Sequence, residues 1–145
     1  MFSLIESVNN ILITKLGHSQ RNSFEGFSGT DQEKLEKTIN ILSEQQLSEL
    51  RHLNLLNMKI NDISILEKCI NLNSLCLAGT RVINISPLSK CENLEILDLR
   101  YTKIYDLTPL SGCLNLKFLN ILETRVANIR PLKNCNQLKL FSIFI

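Results

Sequence analysis

A chain of 145 residues, 44% of them apolar and with only three prolines and five glycines, has room for one domain and enough apolar side chains for a core, which excludes wholesale disorder. Its 16 basic and 14 acidic side chains leave a formal charge of +2, too balanced to argue for nucleic-acid binding from composition. The amino terminus, MFSLIESVNNILITKLG, lacks the basic start and unbroken apolar run of a signal peptide, and no stretch nears the roughly 18 apolar residues of a membrane span; a protein of a reducing, cytoplasmic compartment is expected.

In chain order, Ile5, Val8, Leu12 and Leu16 fall at helical spacing and predict a short amphipathic helix over 2–16 that needs a partner surface. Residues 17–30, polar and glycine-containing without a period, predict an exposed loop. Thr30 with Glu33 reads as a capping box, followed by Leu35, Ile39 and Leu42 on one face of a helix of about three turns. Ser43 with Gln46 repeats the device and leads through Leu47 to Leu50. Residues 1–49 are expected to form a helical cap over the open face of a first repeat.

From Leu50 onward one pattern recurs every 22 residues. Leu72, Leu75, Leu77, Thr80, Val82, Ile85, Pro87, Leu88 and Cys91 return as Leu94, Leu97, Leu99, Thr102, Ile104, Leu107, Pro109, Leu110 and Cys113. They return again as Leu116, Leu119, Ile121, Thr124, Val126, Ile129, Pro131, Leu132 and Cys135. The register holds upstream from Leu50 to Cys69, and a partial fifth copy starts at Leu138. Within a unit, Leu75 and Leu77 alternate with Ser74, Cys76 and Ala78, as in a short strand with one buried face. Pro87-Leu88 then opens a short helical or 3₁₀ turn, where the missing amide of proline costs nothing.

With nine positions in register, the chain resembles a leucine-rich repeat protein of the short class with the unit LxxLxLxxTxIxxIxPLxxC, over about residues 50–145. The resemblance implies an α/β solenoid: an arc with a concave parallel sheet and short turns on its convex side. The commoner asparagine after the strand is replaced by Met58, Thr80, Thr102 and Thr124. A threonine hydroxyl does part of that work, whereas Met58 leaves the first repeat either looser or dependent on the cap. Short chains similar to this one occur in intracellular bacteria and protozoa, so the resemblance also implies an effector or adaptor role, with delivery to a host cytosol as an option.

Cys69, Cys91, Cys113 and Cys135 share one column. Side chains about 5 Å apart in a line do not converge on a point as zinc requires, so they are expected as small core residues. Cys76 falls on the concave face and should be the most accessible thiol, but His52 lies one strand away without an orienting carboxylate. His18 falls in the polar loop. No paired carboxylates, phosphate loop or metal-spaced cluster points to an enzyme, a cofactor or a metal.

Individuality must then lie in the outward strand positions. They read His52, Ser74, Ile96, Phe118, Leu140 in one row; Asn54, Cys76, Asp98, Asn120, Ser142 in the next; and Leu56, Ala78, Arg100, Leu122, Phe144 in the third. Ile96, Phe118 and Leu140 would form an apolar stripe edged by Asp98, Arg100, Tyr101, Asn120, Leu122 and Glu123, the layout of a protein- or peptide-binding surface. Contact with the chain's own terminus or a second copy is the alternative. Lys59, Arg81, Lys103 and Arg125 form a basic column that Asp62, Asp106 or a partner's anions could answer; nucleic acid is disfavoured because Glu92, Glu95 and Glu123 are interspersed. The sequence closes inside a strand, LKLFSIFI, with Leu138, Phe141 and Ile143 expected inward and Phe144 beside them, a surface for end-to-end self-association, for a capping partner or for neither if the chain is truncated.

Overall fold

A computed structural model describes residues 29–141, so the helix expected at 2–16, almost all of the loop at 17–30, and Ile143 and Phe144 lie outside the described residues. Both capping boxes are present. Glu33 N donates to Thr30 Oγ1 at 3.2 Å while Thr30 N donates to Glu33 Oε2 at 2.9 Å, which starts helix α1 (Asp31–Asn40). Ser43 and Gln46 exchange the same two bonds at 3.2 and 2.9 Å and start α2 (Glu44–Glu49). Each box satisfies two amides that a helix start otherwise leaves open. Leu35, Ile39 and Leu47 are buried in the same core as the repeats, so the helical cap and the solenoid share one hydrophobic interior.

Five strands of three residues follow: β1 (His52–Asn54), β2 (Ser74–Cys76), β3 (Ile96–Asp98), β4 (Phe118–Asn120) and β5 (Lys139–Phe141). They form one parallel sheet in sequence order. Between them the chain returns through 3₁₀ turns at Ser64–Lys68, Ser86–Lys90, Thr108–Leu110 and Arg130–Leu132, with proline in the first turn of the last three. A column of acids and amides prepares each turn: Asp62, Asn84, Asp106 and Asn128 Oδ1 accept from the amides of Ser64, Ser86, Thr108 and Arg130 at 2.8 to 3.0 Å. These side chains fold the backbone before the turn begins.

The inward columns pack as the period predicts. Leu53, Leu75, Leu97 and Leu119, at the centres of β1 to β4, are at most 2% exposed, and Ile63, Ile85 and Leu107 at most 1%. The cysteine column is buried and free of disulfides, and it also carries polar contacts: Cys91, Cys113 and Cys135 Sγ donate to the carbonyls of Cys69, Cys91 and Cys113 at 3.6, 3.5 and 3.4 Å. The threonine hydroxyls turn back instead of reaching across. Thr80, Thr102 and Thr124 Oγ1 donate to the carbonyls of Leu77, Leu99 and Ile121 in their own strand segments at 2.7, 2.6 and 2.7 Å.

Met58 cannot make that bond, and the cap supplies other ones beside it. Lys59 N donates to Asp31 Oδ2 at 2.8 Å; Asn61 N and Asp62 N both donate to Gln32 Oε1 at 3.2 Å, and Gln32 Nε2 donates to Asp62 O at 2.9 Å. Gln32→Ala is therefore expected to lower unfolding free energy by about 1 kcal/mol in urea titrations, against nearly nothing for Gln45→Ala, whose exposed amide reaches only Glu49. Equal effects would mean that Gln32 does not tie the cap to the first repeat.

The last strand departs from the expected register. Partners are 22 residues apart from β1 to β4, as in Ile96 with Phe118, but Phe118 pairs with Lys139, Leu119 with Leu140 and Asn120 with Phe141. At the start of β4 two successive amides, Lys117 and Phe118, converge on the Glu95 carbonyl, as Glu95 and Ile96 do on Asn73. Lys139 N bonds Lys117 O at 2.7 Å and pairs with Phe118 directly, so the extra residue of the earlier strands drops out.

Candidate functional site

On β1 to β4 the central residue is buried and its two neighbours lie toward the open face of the sheet. The first outward row contains His52, Ser74, Ile96 and Phe118, and the register makes Lys139, not Leu140, its fifth member. The apolar stripe expected over three strands is thus two residues long, because Leu140 holds the position paired with the central Leu119. Ile96, 45% exposed, and the half-buried Phe118 are direct neighbours on adjacent strands, which run about 4.8 Å apart. Beside them Lys117 Nζ pairs with Glu95 Oε2 at 2.9 Å, two residues that the outward-row pattern omits because they precede the strands.

The second row is partly structural. Asn54, Asp98 and Asn120 Oδ1 accept from the amides of Leu56, Arg100 and Leu122 at 3.0, 3.1 and 3.1 Å. Each curls the chain off its strand. Asp98 also holds a neighbouring side chain: its Oδ2 lies 3.1 Å from Arg100 Nε, so the carboxylate that shapes the backbone orients the half-exposed guanidinium as well. Asn120 Nδ2 has no partner among the described residues and can donate outward. Leu122 is half-buried and Glu123 exposed, at the end of the same surface.

The chain next passes through a left-handed column. Asn57, Gly79, Tyr101 and Glu123 have φ of 58°, 69°, 57° and 54°. Asn57, Gly79 and Tyr101 donate their amides to the Ala78, Arg100 and Leu122 carbonyls of the next repeat at 2.8, 3.0 and 2.9 Å, so the conformation keeps the interstrand bonding going. Asparagine and glycine suit this region, and a Cβ at Gly79 would also run into Asn57 Oδ1. Tyr101 does not suit it, and it is 59% exposed, so burial does not compensate. Tyr101→Asn is expected to raise unfolding free energy by about 0.5–1 kcal/mol in denaturant titrations. A loss of stability would show that the ring is held by packing instead.

The remaining predicted groups do not converge on chemistry. Cys76 is the most accessible of the five thiols, but burial, the leading cause, pushes its pKa up, opposite to the shift of an activated nucleophile. Among the described residues no group of three or more histidine, cysteine, aspartate or glutamate side chains could hold a metal ion. No helix among them is long and apolar enough to cross a membrane. Clefts of about 590, 410 and 80 Å³ lie at the cap junction, beside α2 and between two return segments, and no strand residue lines any of them. Leu138 is half-buried against the core.

Residues 70–112 match the family model described as leucine-rich repeats (2 copies). No curated protein sequence matches the chain. Among solved structures the chain is similar to internalin C2 of Listeria monocytogenes, with 20% identity, a TM-score of 0.57 and coverage of 92% of this chain and 73% of that one. It is also similar to an internalin (inlF) of the same species, at 17% identity and a TM-score of 0.47 over 81% of this chain and 53% of the other. A Leptospira interrogans leucine-rich repeat protein gives 17% identity and 0.49 over 70% and 34%. The likeness to internalin C2 is one of fold. With its sequential parallel sheet, its 3₁₀ returns and the repeat match over 70–112, the chain has the fold of a leucine-rich repeat solenoid.

Proposed function

We propose that the chain is a non-catalytic protein-interaction module, of the short 22-residue repeat class, in which residues 50–145 bind a protein or peptide and residues 1–49 cap the stack. The observation that carries this is the pairing of exposed Ile96 with Phe118 on the open face, beside Arg100, which Asp98 holds at 3.1 Å. A solvated sheet face has no need of apolar neighbours there, and an apolar centre with an Arg and Tyr rim is typical of a binding hot spot. Tyr101, Asn120, Leu122 and Glu123 complete the rim; Leu140 leaves the set because of its register. Action in a cytosol, the cell's own or that of a host as an effector or adaptor, fits the soluble composition and five free thiols. Affinity capture with the full chain and with Ile96→Glu/Phe118→Glu tests the proposal. Partners should be lost by the variant while its unfolding midpoint stays within error; partners retained by a folded variant would refute it.

One observation favours end-to-end self-association as a second reading. Ile129 is 44% exposed, whereas its counterparts Ile63, Ile85 and Leu107 are at most 1% exposed, so the last described repeat shows at its surface a residue that is core in the others. Light scattering should then show dimers at micromolar concentration that Ile129→Glu dissociates. A monomer at all concentrations would eliminate this reading and leave the first intact.

A further inference from the structure

A second surface lies past the strand ends. Lys59, Arg81, Lys103 and Arg125 are all exposed and recur every 22 residues. The amides of Arg81 and Arg125 donate to the Ile60 and Ile104 carbonyls of the preceding repeats at 2.9 Å each, which holds the backbones carrying these cations side by side. None of the four forms an ion pair among the described residues. The nearby carboxylates are engaged elsewhere: Asp31 Oδ2 accepts from the Lys59 amide at 2.8 Å while its Oδ1 lies 4.0 Å from Lys34 Nζ, Asp62 Oδ1 accepts from Ser64 N at 2.8 Å and Ser64 Oγ at 2.5 Å, and Asp106 Oδ1 accepts from Thr108 N at 2.8 Å.

Next to this basic column stands an apolar one. Ile83 and Tyr105 follow Arg81 and Lys103 by two residues and lie on the same side of the chain, because Val82 and Ile104 between them are fully buried. Ile83 is 46% and Tyr105 62% exposed, and a notch of about 80 Å³ opens between them over Ile85 and Pro109, with Asn84 and Asp106 on its polar side. Successive side chains of an extended polypeptide point to opposite sides. A segment lying between the two columns would send one set of side chains to the cations and the other to Ile83, Tyr105 and the notch. A phosphate backbone would satisfy the cations but leave the apolar column uncovered, and one tyrosine is no stacking platform.

We propose that this edge is a docking surface for an extended polypeptide segment that alternates acidic and apolar residues, separate from the sheet face. Fluorescence anisotropy with the full chain and a labelled Glu-Val-Glu-Leu-Glu-Ile-Glu peptide tests it, with deca-glutamate and a 20-nucleotide thymidine strand as comparison probes. The alternating peptide should bind best, and more weakly as salt rises. Lys59→Gln/Arg81→Gln/Lys103→Gln/Arg125→Gln should weaken it on the order of tenfold or more, Arg81→Gln/Lys103→Gln about threefold, and Ile83→Ser/Tyr105→Ser several-fold. Ile96→Glu should leave it unchanged, which separates this edge from the sheet face. Absence of saturable binding, equal binding by the folded double Gln variant, or tighter binding of the oligonucleotide that ignores Ile83→Ser/Tyr105→Ser would each overturn the proposal.

Discussion

At pH 8 the native protein should yield at most one thiol, Cys76, to a neutral disulfide reagent over a time in which all five react in urea. Cys69, Cys91, Cys113 and Cys135 are buried, and reaction requires both access and the thiolate. Burial pushes Cys69 and Cys113 up to about 12 and Cys91 to about 11, with Cys135 also raised. A thiol at about 12 is ionised at pH 8 in only about one molecule in 10⁴. The three thiols that donate to the preceding repeat's carbonyl would have to give up that bond as well. Because these pKa values are higher folded than unfolded, the native state retains protons that the unfolded chain releases above about pH 9. The stabilisation is complete below that point and fades as pH climbs toward 11–12, so the unfolding midpoint should fall through this window. Prompt reaction of two or more native thiols would show that the column is open.

Leu97→Ala should remove about 2–5 kcal/mol of unfolding free energy, measured by urea denaturation. Leu97 is 1% exposed at the centre of β3, where its strand neighbours are Leu75 on one side and Leu119 on the other. A cavity there weakens two repeat interfaces at once, and a solenoid has only nearest-neighbour contacts to rely on. Leu132→Ala, in the partly open last repeat at 6% exposure, should cost less, about 1–2 kcal/mol. Ile96→Ser, one residue away on the open face, should stay within about 0.5 kcal/mol. If Ile96→Ser and Leu97→Ala destabilise alike, the alternation that separates core from surface is wrong.

Much of the fold is readable from residue identity because repetition tests each inference several times. Thr30 with Glu33 and Ser43 with Gln46 announce their helices, and the leucine and cysteine columns announce the core. Asp62, Asn84, Asp106 and Asn128 form an all-acid-or-amide column, and that regularity is the sequence signal of the turn-shaping bonds. The left-handed column is harder to see: Asn57 and Gly79 hint at positive φ, but nothing in Tyr101 or Glu123 does, since backbone conformation there follows from interstrand bonding. The threonines do not bond as an asparagine in their place would, because a hydroxyl reaches a carbonyl three residues back as readily as a neighbouring chain. The fifth strand's register is illegible for a different reason. Leu138, Leu140, Phe141, Ile143 and Phe144 are apolar in both phases of a two-residue period, so alternation cannot choose.

The most direct measurement is photo-crosslinking of a captured partner from a benzoylphenylalanine placed, one at a time, at Ile96, Phe118 and Leu114. Ile96 and Phe118 are neighbours on the open sheet face, while Leu114, 52% exposed, lies in the turn before β4. Recognition by the sheet face gives the same crosslinked partner from positions 96 and 118 and none from 114. Crosslinking from 114 alone, or equally from all three, would contradict it.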